Sequence, residues 1–159
     1  MMKTADLCDE YAEQFKLCKM DLSSYGGKKE FHGFIQTVEV FEDNSLVKES
    51  LQTIEPGTVL VVDGAGSRNC ALLGDLLASI AADREINGII INGCVRDSAE
   101  LTNIPVGIKA IGTCPFKSKK RGEGKKNIHI SFGDIEWIPG QYVYADDDGI
   151  LVAEKPVHI

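Results

Sequence analysis

Two apolar, β-branched runs of almost the same pattern constrain this chain more than anything else in it: Thr58-Val59-Leu60-Val61-Val62-Asp63 and Gly88-Ile89-Ile90-Ile91-Asn92-Gly93. Each reads as a buried strand, and the first breaks at Gly64 and Gly66 into a loop. Between them Leu76, Leu77, Ile80, Ala81 and Arg84 recur at helical spacing, with Ala78, Ser79 and Ala82 filling in. The segment is therefore a strand, helix, strand unit. Where its helix begins decides where chemistry can sit. Cys70 to Leu73 could supply a first turn, but Gly74 would then lie inside the helix, at about 1 kcal/mol relative to alanine. Asp75, by contrast, is a preferred capping residue whose carboxylate can accept from the amides of the next turn. The sequence predicts Asp75 as the N-cap.

With that cap, the free amides of Leu76 and Leu77 face out of the helix end with a partial positive charge behind them, a setting that binds a carboxylate or phosphate. Arg96 follows the second strand, where open α/β sheets place ligand-contacting residues, and its planar fork suits a carboxylate in two parallel hydrogen bonds. Next to it, Asp97 offers a hard oxygen to a cation. One protein carboxylate with several waters is a typical magnesium arrangement that leaves positions for a chelating ligand. A helix cap beside an exposed Arg-Asp pair is the purely structural alternative.

Composition bounds the class. At 159 residues and 43% apolar, the chain has the size of one globular domain, 1–159, with a substantial core. It lacks a run of about eighteen apolar residues, and Met1 to Met20 carries acids instead of a basic flank with an apolar centre, so neither a membrane span nor a secretory signal is expected. A cytoplasmic location follows as the default. Cys8, Cys18, Cys70, Cys94 and Cys114 are odd in number, without Cys-x-x-Cys spacing, and fall mostly in apolar runs, as free buried thiols do. Cys94 lies two residues before Arg96, but a nucleophilic thiol needs a base, and His32, His129 and His158 fall in separate segments. The same scatter argues against a histidine zinc site.

The remaining segments predict a mixed architecture. Thr4 to Leu17 reads as a helix, Phe31 to Phe41 as a strand, Ser45 to Leu51 as a short helix, and Ile104 to Ile111 as a strand with Ile104, Val106, Ile108 and Ala110 inward. The end reads as all β: Asn127 to Phe132, Glu136 to Ile138, Gln141 to Tyr144 and Ile150 to Ala153, with turns at Gly133-Asp134, Pro139-Gly140 and Asp148-Gly149. Strand-helix units followed by hairpins fit an α/β sandwich better than a doubly wound sheet. Asp63-Gly64-Ala65-Gly66 has the look of a nucleotide or methyl-donor loop, but the third glycine of a dinucleotide fingerprint would be Asn69, so it reads as a tight turn bringing backbone close to the site. Lys117 to Lys126 holds six basic residues interrupted by glycines. It is either a solvated loop or a mouth that attracts dianions to a chain of net charge −7. With a pI near 4.9 and no aromatic for base stacking in that segment, direct nucleic-acid binding is not expected. Asp146-Asp147-Asp148 reads as a hairpin turn, with a supporting role at the site as the alternative.

Taken together, Ala5 to Asp9, Tyr25 to Gly27, Val40 to Asn44, Val59 to Ser67, Asn92 to Asp97, Val106 to Ala110 and Tyr144 to Ile150 resemble the RraA-like family over nearly the full length. That family includes the class II 4-hydroxy-4-methyl-2-oxoglutarate aldolases and the regulator of ribonuclease activity A. The resemblance implies an α/β fold of the swivelling β/β/α layered sandwich type, assembled as a homotrimer. For the aldolase branch it implies that Gly74, Asp75, Leu76 and Leu77 hold pyruvate's carboxylate through backbone amides. Arg96 would contact the substrate, and Asp97 would carry a divalent cation, Mg2+ with Mn2+ or Co2+ as alternatives. Asp75 would orient a water for proton transfer, so that Asp75 and Arg96 are the catalytic pair. The implied reaction is cleavage of a small 2-oxo dicarboxylate to pyruvate, with oxaloacetate decarboxylation as a side activity through the same enolate. A Schiff-base aldolase using Lys109 is one alternative. The other is a non-catalytic regulator that binds and inhibits ribonuclease E; that branch lacks acids at the positions of Asp75 and Asp97, which this chain keeps.

Overall fold

The computed structural model describes residues 3–157. In chain order the elements are α1 (Thr4–Tyr11), a 3₁₀ turn (Ala12–Gln14), β1 (Lys16–Leu17), β2 (Ser23–Ser24), β3 (Phe31–Glu39), α2 (Ser45–Thr53), β4 (Val59–Asp63), β5 (Ala71–Leu73), α3 (Asp75–Asp83), β6 (Gly88–Val95), α4 (Ser98–Leu101), β7 (Gly107–Thr113), β8 (Lys125–Lys126), β9 (Ile130–Phe132), β10 (Ile135–Trp137), β11 (Tyr142–Ala145) and β12 (Ile150–Ala153). One large sheet runs β1-β12-β11-β3-β4-β6-β7-β2, with β5 added to β6 and β8 to β3. Its centre, β3 to β7, is parallel because helices or long loops connect those strands, whereas the hairpin-linked β11 and β12 join antiparallel.

Both faces of this centre are covered, which is why β4 and β6 show no polar alternation. On one face Leu60, Val62, Ile89, Ile91 and Ile108 pack with Val47 and Leu51 of α2 and Ala78 and Ala81 of α3. On the other, Val59, Val61 and Ile90 meet Phe31, Phe132, Trp137, Val143 and Val152. A smaller cluster of Leu7, Tyr142, Tyr144 and Leu151 lies beneath α1. Two β layers and a helical layer thus stack as the β/β/α sandwich expected. The ring of Phe31 fills space that side chains at Gly88 and Gly107 would otherwise occupy: a Cβ at either position would come within 2.1 Å of it.

Several boundaries differ from those predicted, each for a tertiary reason. The N-terminal helix stops at Tyr11 instead of Leu17, because Lys16 and Leu17 pair with Val152 and Leu151 at the sheet edge. The strand expected from Ile104 begins at Gly107: Pro105 has no amide for a ladder, and Ile104 closes a turn onto Leu101. Residues Gly107 to Ala110 are buried on both faces, so inward and outward do not alternate there. Ala71 to Leu73 forms a strand beside β6. The expected turn at Gly133-Asp134 is present, with φ of 68° and 64°, the left-handed pair that a two-residue hairpin requires. Among the described residues, no helix is long and apolar enough to cross a membrane.

Candidate functional site

Strands β5 and β6 are parallel neighbours, and the Arg96 N–H donates to the Leu73 carbonyl at 2.9 Å. The two pairs that follow these strands, Gly74-Asp75 and Arg96-Asp97, therefore meet at the same end of the sheet. They are tied directly: the Asp75 N–H donates to Asp97 Oδ2 at 3.0 Å. Asp97 reaches that position from a left-handed backbone, φ 59° and ψ 40°, a conformation that aspartate tolerates better than most residues.

This contact corrects the predicted cap. Gly74 is the N-cap of α3, Asp75 is its first helical residue, and neither side chain caps the helix. The carboxylate that satisfies the Asp75 amide comes from Asp97 in the next loop, so Asp75 need not fold back on its own backbone and its side chain lines the neighbouring cavity instead. The amides of Leu76 and Leu77 come before the first intrahelical bond, from the Ala78 N–H to the Gly74 carbonyl. They remain donors at the positive end of α3.

All six predicted residues, Gly74, Asp75, Leu76, Leu77, Arg96 and Asp97, line one cavity of about 500 Å³. Gly74, Asp75 and Asp97 are half-buried, Leu77 is buried, and Arg96 is exposed. Among the described residues, no carboxylate forms an ion pair with Arg96. Lys48, Lys117 and Lys120 also line the cavity, so four cationic side chains surround it against two acids. The basic segment is thus partly the mouth of the site. It is fastened by Asp43, whose carboxylate accepts from the Ser45 N–H and hydroxyl and from the N–H groups of Arg121 and Glu123. Burial alone would push that carboxyl up, but the four donors outweigh it and hold it at about 2. Asn44, which the sequence reading missed, donates from Nδ2 to the Leu72 carbonyl at 3.3 Å, while its buried Oδ1 has no partner among the described residues. A lone asparagine before a helix reads as a cap, and nothing in the sequence marks it otherwise.

The donor set suits a hydrated hard cation. Among the described residues no group of three or more His, Cys, Asp or Glu could hold a metal, which disfavours zinc-type ligation. Asp97 offers one oxygen beyond the one that accepts from Asp75, in keeping with magnesium's habit of taking one carboxylate and several waters.

The other candidates fall elsewhere. Cys94 is fully buried, and burial pushes its thiol up. Lys109 is buried away from the cavity lining and donates to the Asp146 carbonyl at 2.8 Å; burial lowers its pKa. The Asp146 carboxylate caps α1 through the N–H and hydroxyl of Thr4, at 2.8 and 2.6 Å, and so anchors the N-terminal helix. His32 bonds to the Tyr142 hydroxyl and His129 to Glu136, while His158 lies outside the described residues. Asp63 to Gly66 does form a tight turn, with Ala65 and Gly66 at positive φ. It faces a second cleft of about 520 Å³ beside Glu42 and Lys119, not the candidate cavity.

Comparison with known proteins agrees with this architecture. A protein of Bacillus anthracis with the provisional name 4-hydroxy-4-methyl-2-oxoglutarate aldolase is 55% identical over 158 residues, 99% of each chain. One of Alkalilimnicola ehrlichii, named likewise, is 46% identical over 96% of this chain and 94% of its own. Two solved structures superimpose closely. The one from Geobacillus kaustophilus, described as an S-adenosylmethionine:2-dimethylmenaquinone methyltransferase, is 58% identical with a TM-score of 0.97, covering 98% of this chain and 97% of that one. The RNA-processing inhibitor RraA of Thermus thermophilis is 39% identical with a TM-score of 0.94, covering 99% and 96%. Residues 4–152 match the RraA-like family, described as Aldolase/RraA, and the chain belongs to that family.

Proposed function

We propose that this protein is a divalent-metal-dependent aldolase that cleaves 4-hydroxy-4-methyl-2-oxoglutarate to pyruvate and decarboxylates oxaloacetate as a secondary activity. The observation that carries the proposal is convergence: Arg96, the Leu76 and Leu77 amides, Asp75 and Asp97 line one cavity whose rim is basic. The aldolase names of the relatives support it.

In this reading, Arg96 and the two amides hold the substrate's C1 carboxylate, so that the keto group beside it lies near Asp97. Asp97 would hold Mg2+, with Mn2+ or Co2+ as alternatives, supplying positive charge next to the keto oxygen. Asp75 positions the water that takes the proton from the C4 hydroxyl. As that proton leaves, the C3–C4 bond breaks; one product is pyruvate, and the other half departs as pyruvate enolate, which takes a proton at C3. Oxaloacetate reaches the same enolate by losing carbon dioxide, which is why one site serves both reactions. Lys48, Lys117 and Lys120 favour a substrate with a second carboxylate. A methyl-donor role has less support, because the Asp63 to Gly66 turn has Asn69 where a fingerprint would place its third glycine and faces a separate cleft, away from the cavity where Arg96, Asp75 and Asp97 converge.

The decisive experiment is a coupled pyruvate-release assay with both substrates, run with Mg2+ and with chelator, on wild type, Arg96→Ala and Asp97→Ala. Turnover that needs Mg2+ and both side chains is expected. A protein inert toward both substrates with metal present sinks the reading. A second reading, non-catalytic binding of ribonuclease E, draws on the Thermus relative and on the exposure of Phe34, Phe41 and Phe116, which leaves apolar surface for a partner or for trimer assembly. Capture of ribonuclease E that survives replacement of Asp75 and Asp97, in a protein without turnover, would favour it.

A further inference from the structure

We infer that Gly74 is a positioning residue for Asp97: the empty space where its side chain would be is what lets the Asp97 carboxylate seat on the first amide of α3. The inference rests on the reading of Asp97 as the cation ligand. A Cβ at Gly74 would lie 2.6 Å from Asp97 Oδ2, closer than real contacts allow, and 3.3 Å from Arg96 Cγ. Conformation does not demand the glycine. Its φ of −133° and ψ of −164° are open to any residue, so space alone requires it there.

The two neighbours differ in what they can yield. The backbones of both neighbours are tied, Arg96 by its N–H on the Leu73 carbonyl and Asp97 in a left-handed turn whose carbonyl accepts the Leu101 N–H. The exposed Arg96 side chain can give the few tenths of an ångström that its contact asks, but the 2.6 Å clash is relieved only by moving the Asp97 carboxylate, and that breaks the 3.0 Å bond to the Asp75 amide. That bond engages Oδ2 and leaves Oδ1 as the oxygen available to a cation. An alanine at position 74 therefore keeps the backbone but unseats the side chain, leaving the ligand oxygen free to sample several directions.

Mn2+ affinity, counted by electron paramagnetic resonance of the free ion, tests this without reference to turnover. Asp97→Ala establishes the ligand. Gly74→Ala should weaken Mn2+ binding about tenfold, the scale of a lost hydrogen bond to a charged group, with unchanged circular dichroism. Asp75→Pro offers an independent route: proline is favoured at the first helical position and lacks the N–H, so it should weaken Mn2+ binding relative to Asp75→Ala, which keeps that donor. If Gly74→Ala proves unfolded, the Asp75→Pro and Asp75→Ala pair still tests the seat for which the glycine makes room, and the inference stands or falls with that seat. Wild-type affinity in Gly74→Ala, or equal affinity in the two Asp75 variants, overturns the positioning role while the ligand assignment stands. Undiminished binding by Asp97→Ala overturns the ligand assignment itself, and the inference falls with it.

Discussion

A single side chain here often serves two neighbours, and the consequences differ according to which atom is removed. Asp97→Asn keeps an acceptor for the Asp75 amide, and asparagine tolerates the left-handed backbone, so the fold should remain within a few tenths of a kcal/mol of wild type. Its charge is lost, and pyruvate release should fall about a hundredfold or more, a split that melting and initial-rate measurements resolve together. Arg96→Lys keeps the charge but loses the bidentate fork; kcat/KM should fall by about a hundredfold, with no change in melting because Arg96 is exposed. At this scale the sequence was informative about which residues meet and misleading about how they connect. The six residues around the helix end are the ones that meet, yet the cap was assigned to Asp75 because the true donor-acceptor pair spans 22 residues, beyond any local rule. Asn44 reads locally only as a cap before α2, since its place at the cavity comes from the burial of one amide oxygen.

Among the elements, the buried runs were the easiest to read: β4 and β6 are apolar because both faces are covered, and no competing pattern exists for such a run beside a glycine-rich loop. Ala71 to Leu73 was harder, since three apolar residues carry too little periodicity to separate strand from helix, and only pairing with Cys94 and Val95 decides. The basic segment was visible as composition, but which of its lysines face the cavity depends on the Asp43 anchor. That anchor makes an acid-sensitive joint. The Asp43 carboxyl lies at about 2 in the folded chain against an ordinary 3.8, so its contribution to stability is complete above 3.8 and disappears as pH falls toward 2. Asp43→Asn should lower unfolding free energy by about 1–3 kcal/mol and raise KM for a dicarboxylate, with the difference from wild type shrinking in acid; denaturant titrations across that window would show it. Histidine acts in a neighbouring window: burial lowers the pKa of His32 below 6.5, so the unfolded chain takes up its proton first and stability should decline as pH drops below 6.5.

For the molecule as a whole, the layers depend on a few large side chains. Trp137 is fully buried, stacks on Phe132 at 5.0 Å and donates from Nε1 to the Phe132 carbonyl. Trp137→Ala should cost about 3–5 kcal/mol by calorimetry or urea titration. Gly107→Ala should destabilise by about 1–3 kcal/mol because of the Phe31 ring, and Phe31→Leu in the same chain should recover part of the loss; full additivity of the two changes would refute that account. The parallel arrangement of β4, β5, β6 and β7 has a kinetic corollary. Parallel partners cannot zip from a tight hairpin, so these strands find one another only after long loops have closed. The pairing of Leu73 with Val95 at the site end of β5 and β6 spans 22 residues, so the cradle at the start of α3 is complete only once that crossover has closed. During refolding from urea, helical ellipticity should return ahead of Mn2+ binding, leaving a population of chains with formed helices that cannot yet grip a cation.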